Sequence, residues 1–387
     1  MLKIFFSVNH SGCAWWRARQ PARMIQKLGL AEVNVFSVEN TARDELEGVL
    51  RWADIVSAQS PCGLQAVALT VRYQELGKMV VADYDDLVFS CSPFNPGYKT
   101  LGLKEVQVKQ KDGTSEWLWR DGEKGFNIKD NYFRYRAQMD LMGIIDVVTT
   151  TNDYLKEKYL ENMPVDSEDK VFVLPNSIDF ELFKPLPKKD TGKIRIGWLA
   201  SSSHFTEIWM MKNILTRIFD KYGDEVVFVE LGDVPDLKKI FKDRMEFHQF
   251  VDLSIYPLKF ASLNLDIGLC PLVDDEFNGY KSQLKWSEYA SLGIPSVCSD
   301  LKPYRCVEDG VTGMKGKTED DFFEKLCTLI DNKKLRQDMG KNALEKNFKD
   351  FNLKTNARKW IEAYENCHSR IWVDRKTPRS ESKELKA

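Results

Sequence analysis

The sequence predicts an α/β protein built from two doubly wound parallel sheets, and three observations carry that prediction. The chain has 387 residues, beyond the size at which a single hydrophobic core keeps growing. Short apolar, β-branched runs alternate with longer amphipathic stretches, the pattern of parallel strands covered by helices on both faces. That alternation occurs twice, on either side of a Pro- and Lys-containing connection at Phe183 to Asp190.

The first set of strands is expected at Ile4 to Val8, Val33 to Phe36, Ile55 to Ala58, Met79 to Ala82, Ile145 to Thr149 and Val171 to Leu174. The second is expected at Ile194 to Leu199, Glu225 to Glu230, Met245 to Phe250, Leu265 to Leu269 and Pro295 to Cys298. Alternating residues on both sides of Asp112-Gly113 predict a hairpin from Glu105 to Arg120. It belongs to an insertion at about 91–125 in the first domain, aromatic enough to line an acceptor site or a dimer contact, or else simply packed on its own domain. The expected divisions are 1–187, 188–350, a C-terminal helix at 351–372 with Trp360, Ile361 and Tyr364 on one side, and a loose charged tail at 373–387.

Composition narrows the function classes. With 43% hydrophobic and 29% charged residues the body of the chain is in the folded regime. The net charge of −2 gives no global attraction for nucleic acid or anionic lipid. The eight cysteines, Cys13, Cys62, Cys91, Cys270, Cys298, Cys306, Cys327 and Cys367, include no CxxC pair and read as reduced thiols rather than disulfides or a zinc site. No run reaches about 18 apolar residues, and the N-terminus reads as a first strand rather than a signal peptide, so the cytoplasm is the expected compartment. No GxGxxG follows an expected strand and no GxxxxGK[ST] occurs, which argues against dinucleotide and P-loop chemistry.

The most informative stretch is Leu265 to Met314. A strand ends near Pro271, a polar loop follows, a helix spans about Ser282 to Leu292, Gly293 caps it, and a strand starts at Pro295. Lys281, Lys285 and Glu288 share one face of that helix. Positive charge beside a helix N-terminus suits a diphosphate, and a carboxylate deeper in suits a ribose diol; a solvated face with an i,i+3 salt bridge is the competing reading.

This helix and strand resemble the donor-binding segment of GT-B fold glycosyltransferases, particularly the family 4 (glycosyl transferases group 1) type. Glu288-Tyr-Ala-Ser-Leu-Gly293-Ile-Pro295 matches the second half of that family's signature, whereas Tyr280 stands where the first glutamate is expected. Asn278 to Tyr289 looks like a variant branch, Asn-x-x-Lys-Ser-x-x-Lys-x-x-Glu-Tyr. The resemblance implies two Rossmann-like domains facing a cleft. The first lies on the acceptor side, the second binds the nucleotide sugar, and the C-terminal helix crosses back to the first. Pro175-Asn176-Ser177-Ile178-Asp179 looks like the element that ends the first domain in this family, and its local job alone is an Asx turn. Ile196 to His204 resembles the first strand and loop of the second domain, near the donor phosphates.

The implied donor site comprises Gly12, Gly197, Ser201, His204, Asn278, Lys281, Ser282, Lys285 and Glu288. His204 is expected to hydrogen-bond a donor oxygen or to serve as a polar helix start. Trp15, Trp16 and Arg17 follow the first strand on the acceptor side. Arg17 can fork onto a phosphate or acidic sugar, while the cluster with Arg19, Arg23 and Lys27 is also compatible with peripheral membrane contact. Asp83-Tyr84-Asp85-Asp86 stands at a strand's carboxyl end. Alone it matches the metal-diphosphate DxD of the unrelated GT-A fold. With a donor motif in the second domain a metal is unnecessary, so Asp85 and Asp86 are assigned to the acceptor, with a general-base role if the reaction inverts and a plain turn or helix cap as the competing reading; Asp83, Asp85, His204 and Lys281 are the catalytic candidates.

The resulting expectation is a metal-independent, retaining glycosyltransferase with no cofactor. It would move a sugar from a nucleotide diphosphate donor to a glycan, lipid-linked or other hydroxyl acceptor. Two alternatives stay open: a DNA-modifying enzyme of the kind phages use on hydroxymethylated bases, and a non-catalytic nucleotide-sugar or glycan binder.

Overall fold

The computed structural model describes every residue except 10, 11, 39, 40, 111, 201–204, 233, 234 and 377–387. In chain order its strands are β1 Lys3–Ser7, β2 Glu32–Phe36, β3 Ile55–Gln59, β4 Met79–Tyr84, β5 Val106–Lys109, β6 Ser115–Trp119, β7 Val147–Thr150, β8 Val171–Val173, β9 Ile194–Ala200, β10 Val226–Gly232, β11 Met245–His248, β12 Ile267–Cys270, β13 Ser296–Ser299 and β14 Met314–Gly316. They form two six-stranded sheets, ordered β2-β1-β3-β4-β7-β8 and β11-β10-β9-β12-β13-β14, and a separate β5-β6 pair. Every pairing within the two large sheets is parallel.

All eleven runs expected to be strands are strands of these sheets. The sixth strand of the second sheet, β14, is only Met-Lys-Gly and has no apolar run to announce it. Strands such as β4, β7 and β10 are buried along their whole length, which is why they read as continuous rather than alternating hydrophobic segments.

The chain divides into two compact units: residues 1–85, 134–174 and 354–387, and residues 86–133 and 175–353. In the first unit the strand order reverses between β1 and β3, and in the second between β9 and β12. Open α/β sheets receive ligands at such reversals, beyond the carboxyl ends of the strands. The second unit's core is formed by Trp198, Ile214, Ile218, Phe228, Ile267 and Leu326 among others.

The C-terminal helix runs Leu353–Lys376, longer than expected. Trp360, Ile361 and Tyr364, expected on one side of it, are all buried. In the first unit Trp360 meets Phe6 of β1 at 6.3 Å between ring centroids, and the Tyr364 hydroxyl lies 3.0 Å from the Ser57 hydroxyl of β3.

The hairpin β5-β6 forms as expected, with Gly113 at φ +85° in its turn. Residues 86–133, however, group with the second unit, not with the first set of strands they interrupt. Their aromatic residues make a cluster of their own: the Trp119 ring contacts Tyr98 and Phe126, and its indole N–H donates to the Pro93 carbonyl at 2.6 Å. Among the described residues no helix is long and apolar enough to cross a membrane.

Candidate functional site

At the carboxyl end of β12, beside the reversal of the second sheet, the chain leaves Cys270 and enters a loop that Asp275 ends. The Asp275 carboxylate accepts from the Asn278 N–H at 2.7 Å and caps the short helix Glu276–Gly279. A second helix, Leu284–Ser291, follows, and Gly293 at φ +67° turns the chain into β13. Gly340 of helix Lys333–Asp350 permits a close crossing at this point: a Cβ on it would lie 2.1 Å from the Gly293 carbonyl oxygen.

Lys281, Lys285 and Glu288 therefore occupy the turn before this helix and its first two turns. Lys281 and Lys285 are half-buried and Glu288 is 7% exposed. The Glu288 carboxylate accepts a hydrogen bond from the Tyr256 hydroxyl at 2.7 Å. Burial raises the Glu288 carboxyl to about 7, against the opposing pull of Tyr256 and Lys285. Burial lowers the Lys285 ammonium to about 8; Lys281 adds to that shift, while Glu207 and Glu288 resist it. The Lys281 ammonium lies 4.9 Å from the centroid of the Phe277 ring. Tyr280, at the position of the missing glutamate, has the Lys302 ammonium over its ring at 5.3 Å.

Asn278 is turned inward. Its side-chain amide donates to the Val273 carbonyl at 3.0 Å and to Glu207 at 3.3 Å, which shapes the loop around it. Glu207, 2% exposed in the first turn of helix Phe205–Tyr222, also accepts from the Val273 N–H at 3.3 Å. Ser282 accepts from the Asn176 side chain at 2.9 Å, and Gln283 donates to the Asn176 carbonyl at 2.8 Å. The segment read as the end of the first domain is thus pinned to the start of the Lys-Lys-Glu helix. Sequence reasoning missed Tyr256 and Glu207, which meet the site from 32 and 71 residues away, and Gln283, whose partner Asn176 is 107 residues distant. Gly197 lies mid-strand in β9: a Cβ there would be 2.2 Å from the Leu265 side chain, and its carbonyl accepts from the Tyr289 hydroxyl at 2.9 Å. Its role in the structure is close packing. Ser201 and His204 lie outside the described residues.

In the first unit the expected loop after β1 is helical from Gly12: Gly12–Ala14, a π-helical turn Trp15–Arg19, then Gln20–Lys27. This places Arg17 inward, 1% exposed. Its guanidinium donates to both oxygens of Asp83, at 2.9 and 2.6 Å, and to the Leu174 carbonyl at 2.6 Å, and it lies over the Trp360 ring at 4.9 Å. Thr149 donates to the same carboxylate at 2.5 Å. Burial works against the Arg17 charge, but Asp83 outweighs it with help from Asp85, and the pKa is raised above its ordinary value. Arg17, expected to meet an acidic ligand or a membrane, and Asp83, expected in catalysis, are instead bound to each other at 2% exposure or less. Asp85, Asp86, Trp15 and Trp16 remain half-buried, and Gly12 is exposed.

No protein-family model matches the chain, and no curated protein sequence matches it. Solved structures do. Anabaena Alr3699/HepE in complex with UDP-glucose superposes with a TM-score of 0.64 at 14% identity over 95% of this chain and 100% of that one. Sucrose-phosphate synthase from Thermosynechococcus elongatus gives 0.66 at 13% identity, over 96% of this chain and 100% of that one. A glycosyltransferase from Rickettsia africae ESF-5 gives 0.65 at 13% identity, over 95% and 98%. The two six-stranded parallel sheets, each with its flanking helices, thus form a two-domain α/β fold of GT-B type.

Proposed function

We propose that the protein is a glycosyltransferase that moves a sugar from a nucleotide diphosphate donor to an acceptor hydroxyl. The observation that carries this reading is the Lys281, Lys285, Glu288 constellation beside the reversal of the second sheet, with Glu288 buried and aimed by Tyr256. Lys281 and Lys285 offer positive charge to the leaving diphosphate, where negative charge grows in the transition state, and Glu288 accepts from the ribose hydroxyls. Lys281 is then the catalytic electrostatic group, with Ser282 beside it. The likeness in fold to HepE, which was crystallised with UDP-glucose, supports a nucleotide sugar as donor.

Two lysines facing the diphosphate make a metal unnecessary for neutralising it. Retention of anomeric configuration is the outcome the family resemblance supports; both oxygens of Asp83 are engaged by Arg17 and Thr149, which leaves Asp85 as the candidate base if the reaction inverts. Asp85 and Asp86, with Trp15 and Trp16, are then the acceptor residues. A panel of nucleotide sugars screened by thermal shift tests the reading: a donor that binds only the native state raises the melting temperature, and the rise is lost in Lys281→Ala. No stabilisation by any member of the panel would remove the proposal.

A further inference from the structure

The second unit contains a pocket of about 350 Å³ whose walls come from residues 89–104 and from the donor loop at 275–277. We propose that this pocket holds the apolar part of the acceptor, so that the acceptor is a hydroxyl compound carrying a neutral aryl or short alkyl group. The inference rests on the glycosyltransferase reading for the word acceptor, but the pocket and its chemistry stand by themselves.

The volume lies within the range of small-ligand sites, about 300–1,000 Å³. Phe89, Cys91, Tyr98, Leu101, Leu103 and Phe277 make its lining predominantly apolar. Burial pushes the Cys91 thiol up to about 12, with Asp86 adding to the shift, so this wall is uncharged at neutral pH. Leu103 keeps 39% of its surface exposed at the lip, apolar area that an occupant would cover. The charged groups that line it, Asp275, Glu276 and Lys104, are of mixed sign, so the apolar walls and not a net charge carry the selection.

The wall is built rigidly. Asn131, 1% exposed, donates from its side chain to the Lys99 carbonyl at 3.1 Å and the Gly102 carbonyl at 2.8 Å. The Tyr98 hydroxyl donates to the Lys104 carbonyl at 3.0 Å. A preformed wall spares a ligand the ordering of that segment. The opposite wall is the donor loop itself, and the Phe277 ring that lines the pocket also carries the Lys281 ammonium. A molecule seated against Phe277 is therefore adjacent to the residue assigned to the diphosphate.

Calorimetry on the full chain, with octyl β-glucoside below its micelle concentration against methyl β-glucoside, tests the proposal. The octyl compound is expected to bind at least about tenfold more tightly. Leu103→Arg and Ser90→Trp, substitutions at the lip and wall that leave the core untouched, should each erase that preference while UDP affinity stays within about twofold. Equal affinity for the two glucosides, or a preference that survives both substitutions, overturns the pocket assignment. An octyl preference without binding of UDP, GDP, ADP, CDP or dTDP would overturn the donor reading and uphold the pocket, whereas binding of one of these nucleotides without the preference would do the reverse.

Discussion

Glu288 and Lys285 are pulled toward neutrality from opposite sides, one up to about 7 and the other down to about 8, by the same burial. Nucleotide binding needs the carboxylate ionised and the ammonium protonated. Affinity for the nucleotide diphosphate that the thermal-shift panel selects should therefore rise as pH passes about 7 and fall as it passes about 8, measured by calorimetry across the range. Lys285→Arg, whose guanidinium stays charged, should remove the alkaline limb alone. The native-state pKa of Glu288 lies above its unfolded value, so what this group adds to stability at low pH is lost as pH rises toward about 7. Glu288→Gln should accordingly melt higher than the wild type at pH 8 while binding the selected nucleotide diphosphate at least about tenfold less tightly, a loss of roughly 1.4 kcal/mol. Arg17 and Asp83 behave in the opposite way, since each satisfies the other's buried charge. Asp83→Asn should lower unfolding stability by about 3–5 kcal/mol in denaturant titration, the range for breaking a buried pair. Neither the Arg17–Asp83 nor the Tyr256–Glu288 pairing was legible in the sequence, because partners 66 and 32 residues apart share no periodicity that could announce them.

At the scale of the element, the strands and the Lys-Lys-Glu helix were legible because burial on both faces and helical spacing leave marks in the order of residues. The helix begins at Leu284, two residues later than the sequence suggested, because Ser282 and Gln283 are engaged with Asn176 in the turn that precedes it. The grouping of residues 86–133 was not legible: their strands and turn are written locally, but what the segment touches depends on the donor loop at 275–277. The helix Lys333–Asp350 shows how closely elements meet here. Gly340→Ala would force its methyl against the Gly293 carbonyl and Pro295, so a fall of about 1–3 kcal/mol in stability is expected by chemical denaturation. Because Gly293 ends the helix proposed to bind the donor, the same substitution should also weaken nucleotide binding at temperatures where the protein remains folded.

For the molecule as a whole, two units with closely related strand orders hold different charged groups, Lys281 and Lys285 in the second and the Arg17–Asp83 pair in the first. If lysines neutralise the diphosphate, sugar transfer should persist in EDTA, followed as product formed from a nucleotide sugar and a hydroxyl acceptor. Loss of transfer that Mn²⁺ or Mg²⁺ restores would move the diphosphate to carboxylate-held metal. The helix Leu353–Lys376 has a consequence for how the protein is made. A ribosome delivers β1, β3 and Arg17 early, but Trp360 and Tyr364, which cover Phe6 and meet Arg17 and Ser57, arrive only after residues 175–353 have been synthesised. The first unit must therefore wait, with part of its apolar face uncovered, for the second to emerge. A premature stop just before Trp360 is then a lesion of the first unit's sheet, although it falls after the whole of residues 175–353.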